Sequence, residues 1–184
     1  MAFEVDGIPG LAAGAYDGVL RRAIVAMKRG ERAYLDAFVP FLARHVPAGA
    51  ILVPLPTTWR RRNARGFDQA LELARRTALA CGASTCPVLR KRGSAQRGLG
   101  RSARLEARGR FAVCDGVGLP ETAVVIDDVF TTGGTLRDGI AALRAAGVRV
   151  TGALVLARTA PGRNHRPPTA VVPEATSVMG VTAT

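Results

Sequence analysis

Thr122 to Ile126 (TAVVI) runs into Asp127-Asp128, then Val129 and Phe130, then five small residues, Thr131-Thr132-Gly133-Gly134-Thr135. No other segment limits the possible folds as strongly. A β-branched run with no polar alternation is a strand buried on both faces, and such strands belong to parallel sheets covered by helices. Residues 135–146 then set Leu136, Ile140 and Leu143 at i, i+4 and i+7, one face of a helix. Val148 to Ala157 alternates well enough to be the next strand. Strand, tight loop, helix and strand in that order make a parallel α/β unit.

The rest of the chain supplies further pieces of the same kind. Ala50 to Leu55 (AILVPL) is a second buried strand ending at Pro54 or Pro56. Phe67 to Ala80 is predicted as a helix with Ala70, Leu71, Ala74 and Ala78 facing inward and Gly82 past its end. Residues 16–29 put Leu20, Ile24 and Met27 on one helical face, closed by Gly30; residues 31–45 repeat the pattern, with Pro40 as a kink or break. Short strands are expected around Pro87 to Leu89 and Phe111 to Val113. Between them, KRGSAQRGLGRSARLEARGR has no sustained apolar period, and loops of that length are usually functional or disordered. The expectation is an α/β domain over residues 1–158 with a mostly parallel central sheet and flanking helices. It comprises a helical entry (14–49) and a core unit (50–158) with a mobile loop (90–110). Residues 159–184, rich in Pro, Gly and Thr, read as a flexible tail.

Charge narrows the partners. The net charge is +12, yet residues 57–110 alone hold 14 basic and 3 acidic side chains. Arg outnumbers Lys 24 to 2, which reflects codon usage, but codon usage does not explain the shortage of acids in one segment. A polyanion or a phosphorylated ligand is the natural counterpart. No window approaches the ~18 consecutive apolar residues of a membrane span. The first residues, Met1-Ala2-Phe3-Glu4-Val5-Asp6, are acidic where a signal peptide is basic, so a cytoplasmic protein is expected. Cys81, Cys86 and Cys114 form no Cys-x2-Cys pair, and His45 and His165 lie near no cysteine cluster, so neither a disulfide scaffold nor a zinc site is supported.

The segment after the central strand suits a sugar phosphate. Backbone N–H groups of residues 131–135 at a helix start, with the positive end of the dipole, attract an anion. Gly133 and Gly134 admit close approach, Thr131, Thr132 and Thr135 add hydroxyls, and Asp127 and Asp128 can accept hydrogen bonds from vicinal hydroxyls. A Walker B reading of VVIDD needs a Gly-x4-Gly-Lys-Ser/Thr loop; the only lysines, Lys28 and Lys91, are each followed by Arg, so it fails. The loop after the first buried strand, Thr57-Thr58-Trp59-Arg60-Arg61-Arg62, is placed by topology to face the same site, and Arg forks suit phosphate oxygens. A solvated basic turn explains any one of these arginines equally well. The basic segment can also track a nucleic-acid backbone; with only Trp59 and Phe67 as stacking platforms, contact would be nonspecific.

Residues 124–135 resemble the phosphoribosyl pyrophosphate (PRPP) motif of type I phosphoribosyltransferases: apolar residues, two acids, then Thr-Thr-Gly-x-Thr. Val53-Pro54-Leu55-Pro56 followed by Arg65-Gly66-Phe67-Asp68-Gln69-Ala70 is similar to Val-Pro-x-Pro … Arg-Gly-Phe-Asn-Gln-Ala of the ComF, amidophosphoribosyltransferase-like branch. Arg90-x-Arg92, Gln96, Leu99, Arg104 and Phe111 resemble that branch's basic middle section, and Tyr16 to Lys28 its opening helix. The resemblance spans roughly residues 14–157. The chain departs from it in lacking a Cys-x2-Cys ribbon, an Asn near Glu106 and a Thr near Gly93. What the resemblance implies is binding of PRPP or a related ribose phosphate with substrate-borne Mg²⁺, and phosphoribosyl transfer to a nitrogen nucleophile with release of pyrophosphate. Asp127 and Asp128 would hold the ribose and stabilise charge at the anomeric carbon, residues 131–135 would grip the 5-phosphate, and Thr57, Arg60, Arg61, Arg62 and Arg65 would face pyrophosphate. The alternative it implies is a non-catalytic accessory protein in DNA uptake or use. A homodimer is the common arrangement of the superfamily.

Overall fold

In the computed structural model, residues 1–57, 66–92 and 109–160 are described. In chain order the elements are β1 (Ala2–Val5), β2 (Ile8–Ala15), α1 (Gly18–Lys28), α2 (Ala33–Ala43), β3 (Ile51–Pro54) and α3 (Gln69–Cys81). There follow β4 (Ser84–Thr85), β5 (Leu89–Lys91), β6 (Phe111–Val113), β7 (Thr122–Phe130), α4 (Gly134–Ala145) and β8 (Arg149–Arg158). Six strands form one sheet in the order β1-β2-β8-β7-β3-β4, and only the β1–β2 pair is antiparallel. The architecture is thus a mostly parallel central sheet with flanking helices. β5 and β6 form a separate antiparallel ribbon that brings Arg92 against Arg110, whose carbonyl accepts the Arg92 N–H at 2.8 Å.

β7 is central because its side chains can be buried on both faces. Val125 lies between Ala153 of β8 and Val53 of β3, and Ile126 between Leu154 and Pro54. On one face Val125, Val53 and Val155 pack under Leu136, Ile140 and Leu143 of α4. On the other, Val124, Ile126 and Leu154 meet Ile24 and Met27 of α1, Leu35 and Leu42 of α2, and Leu73 and Ala74 of α3. Fully burying each such aliphatic side chain contributes about 1.5–3 kcal/mol. Gly139 lets α4 settle onto the sheet: a Cβ there would overlap the Leu55 side chain.

Three expectations shift. α3 turns Leu73 rather than Leu71 fully inward, because Leu73 falls within the buried arc of Ala70, Ala74, Thr77 and Ala78 while Leu71 lies at its edge. Pro40 does not break α2: it sits on the exposed face, where its missing N–H costs one helical bond. And the entry is not helical at its start. Residues 14–15 end β2, whose hairpin with β1 extends the sheet beyond β8. Asp6 and Gly7 (φ +50° and +77°) form its two-residue turn, the Asp-Gly signal of a type I′ hairpin between Val5 and Ile8. The tail from 161 onward and the body of the 90–110 loop (93–108) lie outside the described residues.

The hairpin closes over Phe3, which is almost fully buried and stacks on Phe130 with ring centroids 4.3 Å apart. Gly10, directly across from Phe3, leaves room for that ring; a Cβ there would overlap it. Gly10→Ala should therefore lower stability by about 1–3 kcal/mol in urea unfolding. Adding it to Phe3→Ala should cost much less than the sum of the two, since the clashing ring is gone. Simple additivity would show that Phe3 does not rest on Gly10.

Candidate functional site

Asp127 and Asp128 lie within β7, not just beyond it, because pairing to Val155, Ala157 and Arg158 of β8 keeps the strand extended through Phe130. They line a cleft of about 130 Å³ at the carboxyl end of the sheet. Its walls are the loop after β3, the first residues of α3, Thr135 at the start of α4, and the two lysines, Lys28 and Lys91. The position is where parallel sheets place their ligands.

The motif Gly66-Phe67-Asp68-Gln69 is what shapes one wall. Asp68 caps α3 by accepting the Leu71 N–H at 3.3 Å, and its other oxygen accepts the Thr57 N–H at 2.9 Å. One carboxylate thereby pins the loop after β3 to the helix that follows it. Phe67 is buried beneath the Arg32 guanidinium, 4.8 Å from its ring centre. The buried Gln69 amide donates to the Met27 carbonyl at 3.2 Å, which anchors the end of α1 at this wall. From there Lys28, the last residue of α1, reaches across so that its Nζ lies 2.8 Å from Asp128 Oδ2.

The neighbouring carboxyl behaves differently. Burial above all, and then the charge of Asp128, push Asp127 up to about 8. The Asp128 N–H, donated to Asp127 Oδ1 at 2.8 Å, opposes this, as do the charges of Lys28 and Lys91. At neutral pH Asp127 thus holds a proton and can donate a hydrogen bond, while Asp128 forms the ion pair.

Four residues past Phe130, α4 begins. Its N-cap, Gly133, adopts φ +79° and provides no side-chain cap, so nothing from residue 133 blocks the first-turn N–H groups. A Cβ at Gly133 would come within 3.0 Å of the Phe130 ring. Thr131 and Thr132 are exposed, and Thr135 lines the cleft. Two arginines bracket the loop. Arg110 donates to Thr135 Oγ1 at 3.2 Å and pairs with Asp138 at 3.2 Å. Arg137 donates to the Thr132 carbonyl at 3.0 Å and to the Asp6 carboxylate of the hairpin turn at 3.2 Å. The hairpin thus braces the loop twice, through Phe3 on Phe130 and through Asp6 on Arg137.

Of the residues singled out in the sequence, the structure brings Thr57, Asp127, Asp128 and Thr135 into one cleft, with residues 131–134 at the adjoining helix start. Arg60, Arg61, Arg62 and Arg65 lie outside the described residues. Sequence reasoning missed Lys28, Lys91, Arg110 and the bracing hairpin. The scarcity of lysine was the available signal for the first two, and the Asp6-Gly7 turn for the last. Among the described residues no group of three His, Cys, Asp or Glu side chains gathers as a metal site, and no helix is long and apolar enough to cross a membrane.

No family model matches this chain, and no curated protein does. Solved structures do. Orotate phosphoribosyltransferase from Aeropyrum pernix is 20% identical with a TM-score of 0.44, over 70% of this chain and 62% of that one. Glutamine phosphoribosylpyrophosphate amidotransferase from B. subtilis is 21% identical with a TM-score of 0.48, over 65% and 25%. Adenine phosphoribosyl transferase from Trypanosoma brucei, solved with AMP, pyrophosphate and ribose-5-phosphate, is 12% identical with a TM-score of 0.46, over 94% and 96%. The chain spans less than two thirds of the first and a quarter of the second.

The raised Asp127 gives a signed pH dependence. An aspartate ionises near 4 in an unfolded chain but at about 8 here, so between those values the folded protein keeps a proton that the unfolded chain has lost. Stability must fall as pH rises through this window and is unaffected below it. Relative to Asp127→Asn, which cannot ionise, wild type should lose up to about 1.4 kcal/mol per pH unit between 4 and 8. Thermal unfolding of both proteins from pH 4 to 9 reads the gap. A gap independent of pH would mean that Asp127 ionises normally.

Proposed function

We propose that the cleft binds PRPP or a related ribose phosphate and transfers the phosphoribosyl group to a nitrogen nucleophile, releasing pyrophosphate. The observation that carries this reading is the shared cleft itself: an acid pair at the end of β7, an α4 start without a side-chain cap beside it, and two ammonium groups on its walls.

Each part has a chemical task. A 5-phosphate on the N–H groups of α4 and the hydroxyls of Thr131, Thr132 and Thr135 sits on the positive end of the helix dipole. Vicinal ribose hydroxyls meet Asp127 and Asp128, and a protonated Asp127 can donate to one hydroxyl oxygen while Asp128 accepts from the other. Pyrophosphate then lies toward Thr57 and the arginines that follow it, Arg60, Arg61, Arg62 and Arg65. Mg²⁺ enters as part of the substrate, bound mainly by pyrophosphate and ribose oxygens. As the bond from the anomeric carbon to pyrophosphate lengthens, positive charge grows on the ribose ring beside the acid pair, which stabilises it. The nitrogen nucleophile takes the vacated position on carbon.

Calorimetry with PRPP and Mg²⁺ tests binding. Wild type should bind, and Asp128→Asn, which removes a charged acceptor for the ribose diol, should bind at least about tenfold more weakly while keeping its thermal stability. Absence of binding by wild type would sink the reading. Pyrophosphate release across a panel of bases and amines then tests transfer, and silence throughout the panel would favour the non-catalytic alternative.

A further inference from the structure

The chain uses arginine at 24 of its 26 basic positions and lysine at only two. Both lysines line the acid-pair cleft, and among its described lining residues there is no arginine. Codon usage that favours Arg everywhere else has not done so at these two described positions beside Asp127 and Asp128. Lysine and arginine differ here in a specific way. Arg presents a planar fork that bonds both oxygens of one carboxylate and holds them, whereas Lys is a compact point charge on a flexible stem that can exchange partners.

The geometry gives Lys28 something to exchange. Its Nζ lies on Asp128 Oδ2 at 2.8 Å, an oxygen that a ribose hydroxyl would need as its acceptor. It approaches from the α3 wall, where the Gln69 bond to Met27 fixes the end of α1 and Thr57 is held by Asp68. That is the side of the cleft away from the start of α4. Among the described residues, the charged groups that line the cleft with the acid pair are Lys28 from α1, Lys91 from β5 and Asp68 at the cap of α3, with the Thr135 hydroxyl from α4. The pair is only partly exposed, with 29% and 21% of the two side chains accessible, so a ligand entering the cleft meets both.

We infer that Lys28 is a partner-exchanging cation: it neutralises Asp128 until a ribose diol takes that carboxylate, and then moves onto the pyrophosphate oxygens of the same ligand. The inference rests on the ribose-phosphate reading of the cleft and adds a selectivity to it. A ligand with the diol but no pyrophosphate must displace the ammonium and leaves it without a new anion. A ligand with both gives the ammonium a stronger partner than the one it gave up. Lys28 therefore discriminates the activated sugar from its hydrolysed form.

Calorimetry with PRPP and with ribose 5-phosphate, each with Mg²⁺, on wild type, Lys28→Met and Lys28→Arg reads this directly. In Lys28→Met the preference for PRPP over ribose 5-phosphate should drop about tenfold or more, with PRPP weaker and ribose 5-phosphate unchanged or tighter. Lys28→Arg keeps the charge and the fold, yet its fork stays on Asp128, so both ligands should weaken. Arg29→Met, on the exposed neighbour, should change neither. Equal loss of both ligands in Lys28→Met is what a merely structural role predicts and would overturn the inference, as would full function in Lys28→Arg. Failure of wild type to bind PRPP would instead remove the ribose-phosphate reading, and the inference with it.

Discussion

Two carboxyl groups on consecutive residues at the end of a buried strand cannot both stay ionised without help, and much of this structure answers that constraint. One solution is a proton: Asp127, raised by burial and by its neighbour, keeps its hydrogen at neutral pH. The other is a cation delivered from a distance. α1 must end where Lys28 can reach Asp128, and that end is fixed by Gln69, which is fixed in turn by the Asp68 cap of α3. The packing of three helices against Val124, Ile126 and Leu154 thus also sets the electrostatics of the cleft. A shift of α1 by one helical turn, about 5.4 Å, would leave the ion pair unmade.

The opposite face does comparable work for the loop that opens α4. Gly133 has the left-handed backbone that turns β7 into α4, but a left-handed glycine by itself is floppy. Phe130 beneath it, Phe3 behind Phe130, and Arg137 held between Thr132 and Asp6 remove that freedom. The N-terminal hairpin is remote from the acid pair in sequence and still part of what makes the loop rigid. Under the proposed function, such preorganised N–H groups would need no reorganisation on meeting a phosphate, which is where their advantage over water would lie.

How much of this was legible in the sequence follows from how local each feature is. β7, its acids, the Thr-Gly loop and α4 were readable because strand burial, turn chemistry and helical period all act within one continuous stretch, residues 122–145. The parallel order of the sheet followed from the alternation of strands and helices. The Lys28 to Asp128 pair was not readable, since it joins positions one hundred residues apart that only the packing of α1 on the sheet brings together. The β1–β2 hairpin was missed although Val5-Asp6-Gly7-Ile8 carries its turn, because β1 is short and the Pro and Gly residues of β2 weaken its strand pattern. The inward face of α3 was off at one edge, Leu73 for Leu71, because which edge of an apolar arc is covered depends on the elements packed against it.

The same hairpin has a consequence for how the molecule is made. On the side of β2 away from β1, Gly10 pairs with Ala153 and Leu11 with Leu154 of β8. β1 and β2 are synthesised well before β8, so this edge of the sheet cannot close until β8 is made, and contacts of such long sequence separation form slowly. Until then the apolar row of β8's eventual neighbour has no place to go, and the newly made β8 offers an open edge. Residues far apart in the sequence thus act as the seam of the fold.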